Sequence, residues 1–332
     1  MNYHITLIEG DGIGPEVIGA AVRVLDATGV NIKWDKALAG QAAIEKYGEP
    51  VPDVTINAIK KSKVALKGPV TTPVGGGFRS ANVSLRQKLD LYACVRPVVN
   101  LPGIKTRFSD VDLVVIRENT EGLYSGLEHT VVPGVVASLK IISRIACERI
   151  AKYAFDYCRH HGRRKVTAVH KAAVMKKSDG LFLEEVRKVS ESYPIIEYEE
   201  ISIDTLAKRL VMDPTKFDVL VMGNLYGDII SDLSSGLVGG LGVVPGANIG
   251  NHSAVFEPVH GSAPDIAGKD LSNPLAAILS TVLMLEYIGE KSAAERIKLA
   301  VNKVLDESKS ITKDLGGNAG TKEFTEAILG KL

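Results

Sequence analysis

The chain has 332 residues, of which 24% are charged, and its formal net charge is +1. At roughly 150 residues per domain the length predicts two domains. A near-zero charge gives no whole-chain field to gather nucleic acid or an anionic membrane surface, so neither is an expected partner. Cys94, Cys147 and Cys158 are odd in number and lack CxxC spacing. They argue against a disulfide framework or a zinc knuckle, and a reducing, cytoplasmic setting is expected. Charges and glycines break every apolar run before about 18 residues, so no transmembrane helix is predicted.

Tyr3 to Glu9 reads as a first strand and not a signal peptide. Gly10-Asp11-Gly12-Ile13-Gly14 is a glycine turn, Pro15 sits in a first helical turn, and Val17, Ile18, Ala21, Val22 and Leu25 form the core face of a helix. The glycines fall as GxGxG, not GxGxxG, and no acidic residue ends a strand about 20 residues on, so the Rossmann fingerprint is absent. Further strands are expected at Ile32–Trp34 and Val64–Leu66, with a helix opening at Asp53. The loop from Val70 to Arg79 is too glycine-rich for a core and suits close backbone approach to a ligand. Ser80 to Arg86 leads into a short helix, Leu91 to Val95 leads as a strand to Arg96, and Val111 to Ile116 delivers Arg117. Gathered, these three arginines, with Ser80 and Asn82 as neutral donors, would grip a small polycarboxylate by bidentate pairing; ungathered, they are surface arginines.

Leu127 to Ala137 reads as a protruding hairpin and Ser138 to Arg159 as one long helix. The strand Lys165 to His170 ends in Lys171, which either snorkels or, partly desolvated, exchanges protons near neutral pH. Ser178 caps a helix to about Glu191, Ile195 to Ile201 is a strand, and Asp204 opens a helix, where an acid ordinarily serves as a cap. After the buried strand Phe217 to Met222, a helix beyond Gly227 would set Asp228 and Asp232 at i and i+4 on one face. Like charges there repel by a few tenths of a kcal/mol. The pair is therefore either a solvated helix end or a site for a hard cation such as Mg²⁺ or Mn²⁺. His260, set among Gly261, Ser262 and Ala263, is a turn histidine or lies against a flat ring such as adenine, with Asp265 able to accept from ribose hydroxyls. Helices near 273–288, 292–308 and 321–329 close the chain.

Five motifs in order, GDGIGPE at Gly10–Glu16, LRQKLDLYACVRP at Leu85–Pro97, IRENTEGLYSG at Ile116–Gly126, NLYGDIISD at Asn224–Asp232 and EPVHGSAPDIAG at Glu257–Gly268, resemble the metal-dependent β-decarboxylating dehydrogenases. These comprise isocitrate, homoisocitrate and 3-isopropylmalate dehydrogenases, and the resemblance spans nearly the whole chain. It implies an α/β, two-domain fold of the isocitrate/isopropylmalate dehydrogenase kind, not Rossmann, with 1–98 and 239–332 as a large domain. The implied small domain is 99–238, with a dimer-forming clasp hairpin near 125–137. It also implies a homodimer with shared sites, Lys171 and Asp204 coming from one chain and Arg86, Arg96, Arg117, Tyr124, Asp228 and Asp232 from the other.

The roles implied are Lys171 and Tyr124 as acid–base groups, Asp204, Asp228 and Asp232 as ligands of Mg²⁺ or Mn²⁺, and Ser80, Asn82, Arg86, Arg96 and Arg117 on the substrate. The implied coenzyme set is Ile13, Thr71, Thr72, His260, Gly261, Ala263, Asp265, Ile266 and Asn273. Ser80 and Asn82 resemble the isocitrate branch, where hydrogen-bonding side chains meet a third carboxylate; homoisocitrate is second and 3-isopropylmalate third. Asp265-Ile266 resembles the NAD branch, since a carboxylate accepts from a 2′-hydroxyl and repels a 2′-phosphate. A regulatory subunit of a hetero-oligomeric isocitrate dehydrogenase is the alternative class. One position departs from the family: Lys171-Ala172-Ala173 stands where relatives carry Lys-x-Asn, the asparagine lying near nicotinamide and substrate. Ala173→Asn is expected to raise kcat/KM in steady-state assays, and a lower kcat/KM would contradict that reading of Ala173.

Overall fold

Apolar strand runs alternating with amphipathic helices build layered α/β structure. The computed structural model describes residues 2–71 and 78–332, and Thr72 alone of the expected site residues lies outside them. The chain divides into two compact units, Met1–Leu89 with Asn100–Arg107 and Val238–Leu332, and Asp90–Val99 with Phe108–Leu237. The expected boundary at 98 shifts for a plain reason. The strand Ala93–Val99 pairs antiparallel along its whole length with Asp112–Glu118, so it belongs to the second unit.

In the first unit the strands Ile32–Lys36, Tyr3–Ile8, Val64–Lys67 and Ala254–Pro258 lie side by side in that order, all parallel, and Pro245–Ile249 adds antiparallel beside the last. Helix Gly14–Asp26 buries Val17, Ile18, Ala21 and Leu25 as expected, but Val24 is buried with them while Val22, expected on the core face, is only half-buried, and Leu275–Tyr287 is buried on nearly every side. Pro245–Ile249 and Ala254–Pro258 were not expected as strands. Both are buried at every position, so neither shows the period-two alternation that marks a half-exposed strand.

In the second unit the order is Ala93–Val99, Asp112–Glu118, Val219–Met222, Lys165–His170, Glu197–Ser202, parallel after the first pair. The helix expected from Ser138 begins instead at Arg144, because Val135–Ser138 is still strand. Ser143 caps it, its hydroxyl accepting from the Ala146 N–H at 3.2 Å. Ser178 does not cap its helix but is its first residue. A hairpin of Glu128–Val132 and Val135–Ser138 forms where one was expected, and Val131, Val132, Val135 and Val136 on it are exposed. No helix among the described residues is long and apolar enough to cross a membrane.

Candidate active site

The parallel strands of the second unit end in line. Met222 stands beside Arg117 on one side and Val169 on the other, and His170 stands beside Ser202. Residues just past these ends therefore share one sheet edge, the carboxyl edge at which open α/β sheets bind ligands. Arg117, Lys171, Asp204 and the helix Asn224–Leu237 all lie there.

That helix starts at Asn224, three residues before the expected turn, so Gly227 is inside it. A Cβ on Gly227 would lie 2.4 Å from Arg117 Cγ and 2.5 Å from its Cβ. The missing side chain is what lets Arg117, 1% exposed, run across the helix. Arg117 donates through Nε (3.1 Å) and Nη2 (2.7 Å) to Asn224 Oδ1 and through Nη1 to Asp228. Because the colliding atoms are the root of a buried side chain and not its free end, Gly227→Ala is expected to displace the guanidinium. A loss in kcat/KM of about 100-fold is expected from a misplacement of that order, and a change under threefold would contradict it.

Asp228 also accepts from the Tyr124 hydroxyl, while Arg96 bonds Ser231 and reaches Asp232 at 3.2 Å and Asp228 at 4.0 Å. The repulsion expected between the two carboxylates is thus offset by two buried guanidiniums in the chain itself. Burial raises the Asp232 carboxyl above its ordinary range, Arg96 opposing that and neighbouring Asp228 adding to it. Burial raises the Tyr124 hydroxyl too, and its bond to Asp228 adds to the effect, so the phenol holds its proton throughout the neutral range. The Arg117 guanidinium lies 5.1 Å from the Tyr124 ring centre. The loop carrying Tyr124 is pinned by Glu118, which accepts from Thr120 N–H (2.9 Å) and Glu121 N–H (3.1 Å), and by Glu121, which accepts from Ser143.

Lys171 and Asp204 form a separate, accessible pair, Nζ to Oδ1 2.5 Å. The hydrogen bond from Lys171 lowers the Asp204 carboxyl below its usual range. Among the described residues no three His, Cys, Asp or Glu side chains gather closely enough to hold a metal ion, so Asp204 does not join Asp228 and Asp232 within one chain.

The first unit repeats the pattern. Tyr3–Ile8, Val64–Lys67 and Ala254–Pro258 run in register, Ile8 beside Lys67 and Leu66 beside Phe256, so the loops holding Ile13, Thr71 and His260 leave from one carboxyl edge. The Ile13 N–H donates to Ser262 O at 2.8 Å, the Thr71 and Ser262 hydroxyls meet at 2.6 Å, and Asp11 accepts from the Thr71 N–H at 2.7 Å. Gly12 has φ +59°, and a Cβ there would lie 2.0 Å from Ser262 O, so only glycine allows these loops to close on each other. This is the use of the GDGIGPE turn that its non-Rossmann spacing left open.

His260 Nδ1 lies 3.0 Å from Gly261 O and must donate to it, leaving Nε2 as acceptor, buried and unpartnered among the described residues. Burial lowers the His260 pKa and favours this neutral ring. Ala263 takes a positive φ of 36°, and the Ile266 N–H returns to Ala263 O at 3.2 Å, leaving Asp265 exposed at the turn. Asn273, expected at the coenzyme, is held locally: its oxygen accepts from the Leu275 N–H (2.9 Å) and its nitrogen donates to Asp314 (2.8 Å).

Ser80 is exposed, and Asn82 Oδ1 is buried without a partner among the described residues. Arg86 is buried against Glu257 at 3.2 Å. Glu257 also takes Lys67 Nζ at 2.5 Å and Asn248 Nδ2 at 2.7 Å. Neither Lys67 nor Glu257 was singled out from sequence. The available signal was a charge closing each of two apolar runs, Val64-Ala65-Leu66-Lys67 and Ala254-Val255-Phe256-Glu257.

The isocitrate/isopropylmalate dehydrogenase family matches residues 4–328. Catalytic subunit 5 of the mitochondrial NAD isocitrate dehydrogenase of Arabidopsis thaliana is 53% identical over 98% of this chain and 88% of its own. The alpha subunit of the human mitochondrial NAD isocitrate dehydrogenase is 51% identical over 98% of this chain and 89% of its own. The crystal structure of isocitrate dehydrogenase from Methylococcus capsulatus superposes with a TM-score of 0.96 at 51% identity, covering 99% of each chain. The two-unit α/β fold with sites at its strand ends is therefore that of a family of dehydrogenases. The chain belongs to the isocitrate/isopropylmalate dehydrogenase family.

Proposed function

We propose that this chain oxidises isocitrate with NAD⁺ and releases CO₂ to give 2-oxoglutarate. The observation that carries the reading is the alignment of Arg117, Lys171, Asp204 and the Asp228 helix along one carboxyl sheet edge, in a chain about half identical to NAD isocitrate dehydrogenase subunits over nearly its full length.

The atoms constrain what the side chains must do. Hydride leaves C2 for NAD⁺, the O2 proton departs, the C3 carboxylate leaves as CO₂, and one proton returns to C3. Lys171, accessible at the edge and tethered by Asp204, is the proposed acceptor of the O2 proton. Tyr124, held as a phenol beside Asp228, is the proposed donor to C3. Since one proton leaves and one returns, the two roles balance. Arg96 and Arg117 supply the charge that carboxylates require; in the other unit Arg86 offers a guanidinium, and the Ser80 hydroxyl and the Asn82 amide N–H offer donors of the kind a substrate carboxyl accepts from.

Asp228, Asp232 and Asp204 offer hard carboxylate oxygens, the donor chemistry that Mg²⁺ and Mn²⁺ prefer. A divalent cation bound there would supply Lewis-acid polarisation of the C2 oxygen. For the coenzyme, the neutral His260 ring with its free acceptor suits adenine and the exposed Asp265 suits a ribose diol, which favours NAD over NADP.

Asp204 lies with Lys171 and apart from Asp228 and Asp232, which supports completion of the site by a second chain. The exposed valines of the hairpin support the same reading, because an isolated two-stranded hairpin is marginal in water and needs a partner face. A second copy is the proposed partner, although the plant and human relatives are themselves named as subunits; a monomeric mass in solution would exclude it. Assay of the purified chain against isocitrate, homoisocitrate and 3-isopropylmalate with NAD⁺ or NADP⁺ and Mg²⁺ tests the function. The highest kcat/KM is expected for isocitrate with NAD⁺, and a preference for 3-isopropylmalate would overturn the reading.

A further inference from the structure

We infer that Asp179 is a positioning residue that fixes the backbone of Lys171; this rests on the reading of Lys171 as proton acceptor. Asp179 lies in the first turn of the helix Ser178–Ser190, where an acid ordinarily faces solvent and the helix's own N–H groups. Here it is 3% exposed and turns away to other elements. Its Oδ2 accepts from the Lys171 backbone N–H at 2.7 Å and from the Tyr226 hydroxyl at 3.1 Å, and its Oδ1 bonds the Lys140 ammonium.

These donors come from three places. Lys171 leaves the strand Lys165–His170, Tyr226 lies two residues before Asp228 on its helix, and Lys140 lies two residues past the hairpin strand Val135–Ser138. One buried carboxylate therefore ties the acid–base lysine to the helix of Asp228 and to the base of the hairpin. The Lys140 ammonium also lies 4.8 Å from the Tyr226 ring centre, closing the cluster. A side chain on a turn has few restraints of its own. The Lys171 carbonyl accepts from Val174 and Met175 N–H, but of its hydrogen bonds only that to Asp179 holds its N–H. Without that bond the turn can rotate and carry Nζ from its pairing with Asp204.

The test compares Asp179→Ala, Asp179→Asn, Lys140→Met and Lys171→Met in the full chain, measuring kcat, KM for isocitrate and thermal midpoint. Asp179→Ala is expected to lower kcat about 100-fold, the scale of an ångström-level misplacement, with KM changed less than about threefold. Asp179→Asn keeps an oxygen for the Lys171 N–H and is expected to recover about tenfold of that loss. Lys140→Met disturbs the same carboxylate from its other oxygen, so it lowers the melting midpoint but is expected to hold kcat within about threefold. The inference is overturned if Asp179→Ala holds kcat within about threefold, or if Lys140→Met loses as much kcat as Asp179→Ala. Should neither Asp179 variant fold, Tyr226→Phe removes a donor from the same oxygen: a fall of about threefold or more in kcat supports the inference, and an unchanged kcat overturns it. A Lys171→Met enzyme with full activity would instead refute the role of Lys171 itself.

Discussion

Glu257→Gln is expected to lower the stability of the folded chain by about 3–5 kcal/mol, the usual result of removing one partner from a buried ionic cluster. Lys67 is 1% exposed and Arg86 8%, and Glu257 is the carboxylate both reach. Glutamine keeps the shape and can still accept from Asn248, but it leaves two cations buried without an anion. The same residue sets a pH dependence. Burial alone would push the Glu257 carboxyl up, yet Lys67 and Arg86 hold it down at about 2. A carboxyl lowered on folding contributes stability that is complete above its unfolded value of about 4.3. That contribution is lost as pH falls from there through about 2. Urea midpoints of the wild type should therefore fall more steeply with acid than those of Glu257→Gln, and the two curves should converge. Equal midpoints at neutral pH would refute the cluster's importance.

Lys171→Met and Tyr124→Phe are expected to fail at different steps. Each should lower kcat by about 10²- to 10⁴-fold, the range for a lost general acid or base. Lys171→Met should slow NADH formation from isocitrate by that factor. It should leave intact the decarboxylation of the 2-oxo intermediate supplied directly, because the O2 proton is already gone. Tyr124→Phe should show the converse, a slow return of the proton to C3 from an enzyme that still oxidises. Equal impairment of both partial reactions by both variants would contradict the division of roles.

The placement of the candidate site residues was legible in the sequence wherever a side chain sits at the end of an apolar strand. Arg117, Lys171 and the Asp228–Asp232 spacing were read in that way, and the structure puts them at one carboxyl edge. The hairpin was legible too, from the weak alternation of Leu127 to Ala137, and its strands are Glu128–Val132 and Val135–Ser138. Pairing was not legible: Arg96 lies 136 residues from Asp232 and Arg117 lies 111 from Asp228, and no local pattern says which cation offsets which anion. Pro245–Ile249 and Ala254–Pro258 were missed because complete burial removes alternation. Asp179 was hidden by its position, since an acid in a first helical turn has an ordinary explanation. The helix start at Arg144 was missed because a long apolar-and-polar mixture spans hairpin and helix, and only the Ser143 cap separates them.

These observations converge on coupled oxidation and decarboxylation of a tricarboxylate. The most direct test is the stoichiometry of NADH, CO₂ and 2-oxoglutarate formed by the purified chain from isocitrate and NAD⁺, with Mg²⁺ present or removed by chelation. Equal amounts of all three products, lost on chelation and restored by Mg²⁺, are predicted; NADH without CO₂, or no NADH at all, would contradict the account.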